Sequence, residues 1–174
     1  MFFYPKAYFE NIQNITIEFL NKNNIKALIL DVDNTVLDYD KNIPNEIENW
    51  CKNLKKNGIK FCILSNSIDE KRVKIVAEKL DIPYFYFAKK PIKRGFKKAI
   101  KLLNEDAKNI AEIGDQITTD VIGANRCKIY SILVKPIDEK DIFVTKLKRP
   151  LENLIIKKYK KYQRKEEQWC ILEI

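Results

Sequence analysis

The chain has 174 residues, 45% of them hydrophobic and 33% charged, which suits one globular domain with a real core rather than a disordered segment. It contains no histidine and only four glycines, so Ser-His-Asp and Cys-His nucleophiles, HExxH metal sites, GxGxxG turns and P-loops are all excluded. The net charge of +9 would attract anionic partners, lipid surfaces and RNA alike.

Along the chain, "MFFYPKAYFE" lacks a basic segment followed by an apolar core, and no run of about 18 apolar residues occurs. The expected compartment is therefore the cytoplasm. Residues 8–21 pattern as a helix, within an N-terminal helical segment (1–25) packed on the core. Short apolar strands are then expected at 27–31, 60–64, 84–87, 110–113 and 130–134. Helical patterns fill the gaps at 44–57, 69–80, 93–104 and 117–126. Such alternation argues for βαβ units and an α/β fold with a parallel sheet covered on both faces. The core runs from 26 to 145, and a basic helical tail occupies 146–174.

Cys51, Cys62, Cys127 and Cys170 are far apart and form no CxxC pair, as expected of reduced thiols rather than a zinc site. A cysteine-phosphatase loop needs arginine six residues after its cysteine. Asn57, Ile68 and Leu133 stand there instead. Acid–base and nucleophilic chemistry must run on carboxylates.

In an open parallel sheet, ligands bind beyond the carboxyl ends of the strands. The polar residues gather there. Asp31-Val32-Asp33-Asn34-Thr35 follows the first strand and Ser65-Asn66-Ser67 the second; Lys89-Lys90-Pro91 follows the third, and Gly114-Asp115 the fourth, with Asp120 beyond. Asp31 and Asp33, two residues apart, would point to one side, and Asp115 would make a third carboxylate. Such a set suits a hard cation such as Mg²⁺, which accepts one or two carboxylates and phosphate oxygens. The serines precede a helix whose N-terminal N–H groups would cradle phosphate. A calcium loop is a poorer fit, because Val36 stands where such a loop needs glycine. Asp38 and Asp40 read as solvated turn residues.

"DVDNT", "LSNS", "KKP" and "GDQITTDVIGANR" resemble the four ordered motifs of the haloacid dehalogenase (HAD) superfamily of phosphohydrolases. With "PKAYFENI…IKALILDVDNTVLDYD", they resemble more narrowly the YqeG family of class IIIA HAD phosphatases, related to mitochondrial phosphatidylglycerophosphatases. The similarity spans roughly residues 4 to 152. It implies a single Rossmann-like domain with a five-stranded parallel sheet in the order 3-2-1-4-5. It also implies Asp31 as nucleophile through an aspartyl-phosphate, Asp33 as general acid and base, and Lys90 as the charge-neutralising lysine, with Lys89 the alternative. Thr35, Ser65 and Asn66 fall at the phosphate-binding positions, Thr35 bracing the loop. Magnesium would bind Asp31, Asp33 through its backbone carbonyl, and Asp115, with Asp120 close behind.

The 24 residues 41–64 and the 24 residues 91–114 each hold one helix and one strand, so no cap domain fits. A macromolecule, a membrane or a second subunit must then exclude water from the site. From Lys146 to Glu167 the tail carries nine Lys/Arg against three Glu. It places Leu151, Leu154, Ile155, Tyr159 and Tyr162 on one helical face, expected to dock on the core with the lysines in solvent. The competing use is peripheral contact with an anionic membrane at its inner face. Arg72, Arg94 and Arg126 are expected near the catalytic edge, each exposed unless a second substrate phosphate engages it. Phosphatidylglycerophosphate is the substrate the resemblance favours. Phosphoproteins, nucleic-acid ends and a non-catalytic RNA- or ribosome-associated role remain as alternatives.

Overall fold

The computed structural model describes residues 2–38, 40–138, 150, 154–159 and 161. Six strands, β1 (Ala7–Phe9), β2 (Ala27–Leu30), β3 (Lys60–Leu64), β4 (Tyr84–Phe85), β5 (Ile110–Gly114) and β6 (Tyr130–Val134), form one sheet in the order β1-β6-β5-β2-β3-β4. Every pairing is parallel. The helices are α1 (Ile17–Lys22), α2 (Asn45–Lys56), α3 (Glu70–Leu80), α4 (Lys93–Leu103) and α5 (Ile122–Arg126).

Central strands in such a sheet are buried on both sides, so they read as unbroken apolar runs. β2 is buried at all four positions. Leu28 and Leu30 face a core shared with Ile47 and Leu54 of α2 and Val73 and Val76 of α3. Ala27 and Ile29 point the other way, toward Phe96 and Ala99 of α4 and Ala124 of α5. The two helices on that face meet closely: a Cβ on Gly123 would strike the Phe96 ring.

Two expectations need correction. The sheet has six strands rather than five, because residues 8–21 do not form one helix. They divide into β1, a 3₁₀ turn (Ile12–Asn14) and α1. Phe9, Ile12 and Phe19 all pack on the core, as one helix would also have placed them. Thr16 nevertheless starts a new helix, its hydroxyl accepting from the Phe19 N–H, a cap that breaks the run. β1 is fastened beside β6 by Lys6 N–H to the Ser131 carbonyl at 2.9 Å. The Asn125 amide donates to the carbonyls of Phe2 and Tyr4, and the Ser131 hydroxyl donates to Asn125 Oδ1. Second, the strand expected at 84–87 stops at Phe85, because the chain turns at Phe87, whose φ is 47°.

The other five strands keep the expected order. In the tail, residues 154–159 are helical. Ile155 and Ile156 pack against Ile117, Val121, Leu133 and Tyr8, while Tyr159 is buried and meets Tyr4 edge-on at 5.9 Å. Leu154, expected on the docked face, is exposed, and Ile156 takes its place. Leu151, Tyr162 and Cys170 lie outside the described residues. Cys51 and Cys62 are buried free thiols. No helix among the described residues is long and apolar enough to cross a membrane.

Candidate active site

Strand parity builds the centre. Side chains two apart share a face of the sheet, so Asp31 follows Ala27 and Ile29, and Glu112 follows Ile110. β2 and β5 pair with Ile29 opposite Glu112, which sets both acids on the α4 side. Lys90, just ahead of α4, reaches into the same space. Its Nζ lies 2.8 Å from Asp31 Oδ1, 2.7 Å from Asp120 Oδ1 and 3.3 Å from Glu112 Oε1, with its side chain 1% exposed. The choice between the two lysines is visible here. Lys89 is exposed and lies over the Phe87 ring at 4.6 Å.

Among the described residues, four acids are buried (Asp31, Glu112, Asp115 and Asp120) against the single buried base Lys90. Burial pushes the Asp31 carboxyl up to about 7, with Lys90 opposing and Asp120 reinforcing the shift. Burial likewise drives Glu112 well above the carboxylate range, only partly offset by Lys90. For Lys90 burial acts the other way, yet Asp120, Asp31 and Glu112 together hold its ammonium well above the ordinary lysine value. One oxygen from each of Asp31, Asp115 and Asp120 lies within 4.8 Å of the others. An all-oxygen set with surplus negative charge fits a hard divalent cation such as Mg²⁺. Asp33 adds no side-chain oxygen to that group.

Asp120 reaches the cluster from a π-helical turn (Ile117–Val121) that leads into α5. Its Oδ2 accepts the Gln116 N–H at 3.0 Å. Gly114 makes room for it, since a Cβ there would overlap the Asp120 carboxylate. Only glycine fits.

Asp33 stands at the rim, with its side chain 37% exposed. Arg72, early in α3, donates from Nη2 to Asp33 Oδ2 at 2.9 Å and to Ser67 Oγ at 3.0 Å. Burial still raises the Asp33 pKa, against Arg72, Lys90 and Lys41. Arg72 is thus a partner of the site rather than a free surface charge. Arg94 and Arg126 are exposed, and Arg126 donates to the Pro91 carbonyl at 3.4 Å.

The phosphate-binding candidates separate. Ser65 is buried, and its hydroxyl accepts from the Ser67 N–H at 3.0 Å, shaping the loop ahead of α3. Asn66 spends its side chain on Lys90: Nδ2 donates to the Lys90 carbonyl at 3.1 Å, and Oδ1 accepts the Lys90 N–H at 2.6 Å. It positions the lysine. Thr35 is fully buried against a cavity of about 580 Å³ that Glu10, Ile47 and Asp138 also line, and its hydroxyl has no hydrogen-bond partner among the described residues. Asp38 caps its own turn, accepting from the Asn42 N–H at 2.7 Å.

Glu112 was not anticipated. The signal was there: a glutamate inside "IAEIG" is rarely buried without a cation, and Lys90, ahead of α4 on the same face of the sheet, supplies one.

A doubly covered parallel sheet with DxDxT after its first central strand, serine after the next and a buried lysine opposite is the arrangement expected of a phosphatase of the HAD hydrolase superfamily, and the similarity to known phosphatases places the chain in that class. The chain belongs to the family described as mitochondrial PGP phosphatase, whose sequence model matches residues 1–137. It is 38% identical over 161 residues to "Probable phosphatase YqeG" of Bacillus subtilis, covering 92% of this chain and 93% of that one. Its fold resembles that of an uncharacterized protein from Listeria monocytogenes serotype 4b, at 21% identity and TM-score 0.54, covering 68% and 85% of the two chains. It also resembles the cobalt-bound deoxy-D-mannose-octulosonate 8-phosphate phosphatase of Haemophilus influenzae, at 20% identity and TM-score 0.51, covering 64% and 69%.

Proposed function

We propose that this phosphatase is a Mg²⁺-dependent phosphomonoesterase that works through an aspartyl-phosphate on Asp31, with phosphatidylglycerophosphate as the favoured substrate. The observation that carries the chemistry is the buried Asp31–Lys90 contact at 2.8 Å, with Asp33 two residues away at the rim in the grip of Arg72. Bound by Asp31, Asp115 and Asp120, magnesium would neutralise the surplus carboxylate charge and the phosphate oxygens.

In the first step Asp31 attacks phosphorus and the bond to the leaving oxygen breaks. Asp33 gives that oxygen its proton, a role that its raised pKa favours. In the second step Asp33 takes a proton from water, which attacks the phosphorus and restores the Asp31 carboxylate as inorganic phosphate leaves. Lys90 holds Asp31 in place throughout, and Arg72 aims Asp33. Residues 41–64 and 91–114 add no cap over this centre, so the substrate's own surroundings must keep water out. A lipid headgroup at a bilayer meets that need, with the enzyme acting peripherally from the cytoplasmic side.

The test is Mg²⁺-dependent phosphate release from phosphatidylglycerophosphate in anionic vesicles. Wild-type release that disappears with chelator and in Asp31→Asn is the expected result. Absence of release from this lipid, with hydrolysis of phosphoproteins or nucleic-acid ends instead, would overturn the lipid assignment.

A further inference from the structure

At the β4 edge of the sheet, large apolar side chains stand in solvent. Ile68 is 80% exposed, Ile92 54% and Phe87 50%, with Tyr86 beside them. They are neighbours through the backbone: the Phe87 N–H donates to the Ser67 carbonyl, the Ala88 N–H to the Ser65 carbonyl and the Ile92 N–H to the Lys89 carbonyl, each at 2.9 Å. The loop that carries Phe87 is thereby bolted to the loop that carries Ser65 and Ser67. Both Phe87 (φ 47°) and Lys89 (φ 54°) occupy the left-handed region, unusual for any side chain and most of all for an aromatic one. An aromatic held there with half its surface in water serves no core.

Along β4 and α4 the charge has one sign, although Asp69 and Glu70 follow Ile68. Residues 82–104 contain seven Lys/Arg and no acidic residue. Lys90 is buried in the site, while Lys89, Lys93, Arg94, Lys97, Lys98 and Lys101 are exposed. α4 buries Gly95, Phe96, Ala99 and Leu103 and turns its cations outward. Lys98 lies over the Phe85 ring at 5.8 Å, beside a groove of about 730 Å³ that Phe87 and Ile92 also line. Glu70, the acid on that groove, accepts from the Tyr84 hydroxyl at 3.4 Å. An ordinary solvated helix face mixes both signs and lacks protruding apolar groups.

We propose that this face, Ile68, Tyr86, Phe87 and Ile92 ringed by the cations of α4, is the surface by which the enzyme sits on an anionic lipid bilayer. Apolar side chains enter the headgroup boundary and lysines pair with lipid phosphates, a division of labour that nucleic acid does not require. The β4–α4 loop carries Lys90, so a molecule docked by this face holds its uncapped centre close to the headgroups. The tail is the poorer candidate, because Ile155, Ile156 and Tyr159 already spend their apolar surface on the core. The inference rests on a membrane-borne substrate but is tested apart from it.

The experiment is co-sedimentation of the full chain with vesicles of phosphatidylglycerol and phosphatidylcholine, free of any phosphomonoester lipid. Phosphatidylcholine vesicles and single-stranded RNA serve as competitors, and turnover of p-nitrophenyl phosphate is followed in parallel. Wild type should bind the anionic vesicles. The pair Phe87→Ser, Ile92→Ser should weaken binding about tenfold, and the triple Lys93→Glu, Lys97→Glu, Lys101→Glu by a hundredfold or more, at about 1 kcal/mol per cation. Turnover of the soluble ester should stay unchanged in both. Equal vesicle binding by both variants and wild type would overturn the proposal. So would loss in the lysine variant alone with RNA displacing the vesicles, which would mark a polyelectrolyte surface. Vesicle binding without phosphatidylglycerophosphate turnover would instead leave this surface standing and remove the substrate assignment.

Discussion

The two edges of the sheet begin from similar material and finish differently. β1 and β4 are both short, and both carry a Tyr-Phe pair, Tyr8-Phe9 and Tyr84-Phe85. At the β1 edge the chain covers its own aromatics. Phe9 meets Phe19 edge-on at 5.0 Å, Tyr8 packs with Ile155 and Ile156 on the cluster of Ile117, Val121 and Leu133, and Tyr159 meets Tyr4. At the β4 edge nothing of the kind follows among the described residues, and lysines sit over Phe85 and Phe87 instead. An edge sealed by its own chain contributes stability; an edge left apolar and cationic contributes a surface. The candidate active site lies between them, beyond β2 and β5.

The sharpest way to separate centre from edges is Asp31→Asn. It should lower turnover of every substrate by at least about 10⁴-fold while leaving vesicle binding intact, measured by phosphate release and co-sedimentation side by side. At the sealed edge, Tyr159→Ala should cost about 3 kcal/mol and lower the Tm by roughly 6–12 °C without changing vesicle affinity. Comparable destabilisation from an alanine at exposed Phe87 would erase the contrast.

Magnesium tests the centre without mutation. An aspartic acid whose pKa climbs from about 4 to about 7 on folding binds its proton more tightly in the folded state. Stability of the metal-free protein should therefore fall as pH rises between those values. Saturating Mg²⁺ should raise the Tm on the order of 5–10 °C near neutrality and less at pH 5, read by calorimetry. Glu112→Gln should reduce kcat about ten- to a hundredfold by loosening Lys90, with KM for a soluble ester little changed. The smallest effect belongs to the open edge. Phe87→Asn, better suited to a left-handed backbone, should shift stability by under about 0.5 kcal/mol in either direction, even as vesicle binding weakens.

Much of this architecture was legible because the central strands are apolar on both faces and each ends in its own polar motif. Strand positions could be read from that pattern, and their order followed from the family resemblance. β1 could not, since three residues at an edge carry too little pattern to stand out from the helical reading of residues 8–21. Asp31, Lys90, Asp115 and Asp120 were expected to converge, and the structure brings them together. Thr35 and Asn66 were marked for phosphate, and the structure gives them other surroundings. Arg72 is expected near the catalytic edge, but its pairing with Asp33 and the whole role of Glu112 escape for a shared reason. Their partners, Asp33 and Lys90, lie 39 and 22 residues away, and only the folded sheet makes them neighbours.

The bond from Lys6 to Ser131 spans 125 residues, so the strand made early in translation must wait for nearly the whole core before it can dock. At about 5–20 residues per second that wait is roughly 6–25 s on the ribosome. During it the hydrogen-bonding groups along β1 stay unpaired, and those on the outer side of β6 stay unpaired until β1 arrives. Closing the sheet is thus a late act of assembly, and a newly made chain is most open to pairing with its neighbours just before β1 meets β6.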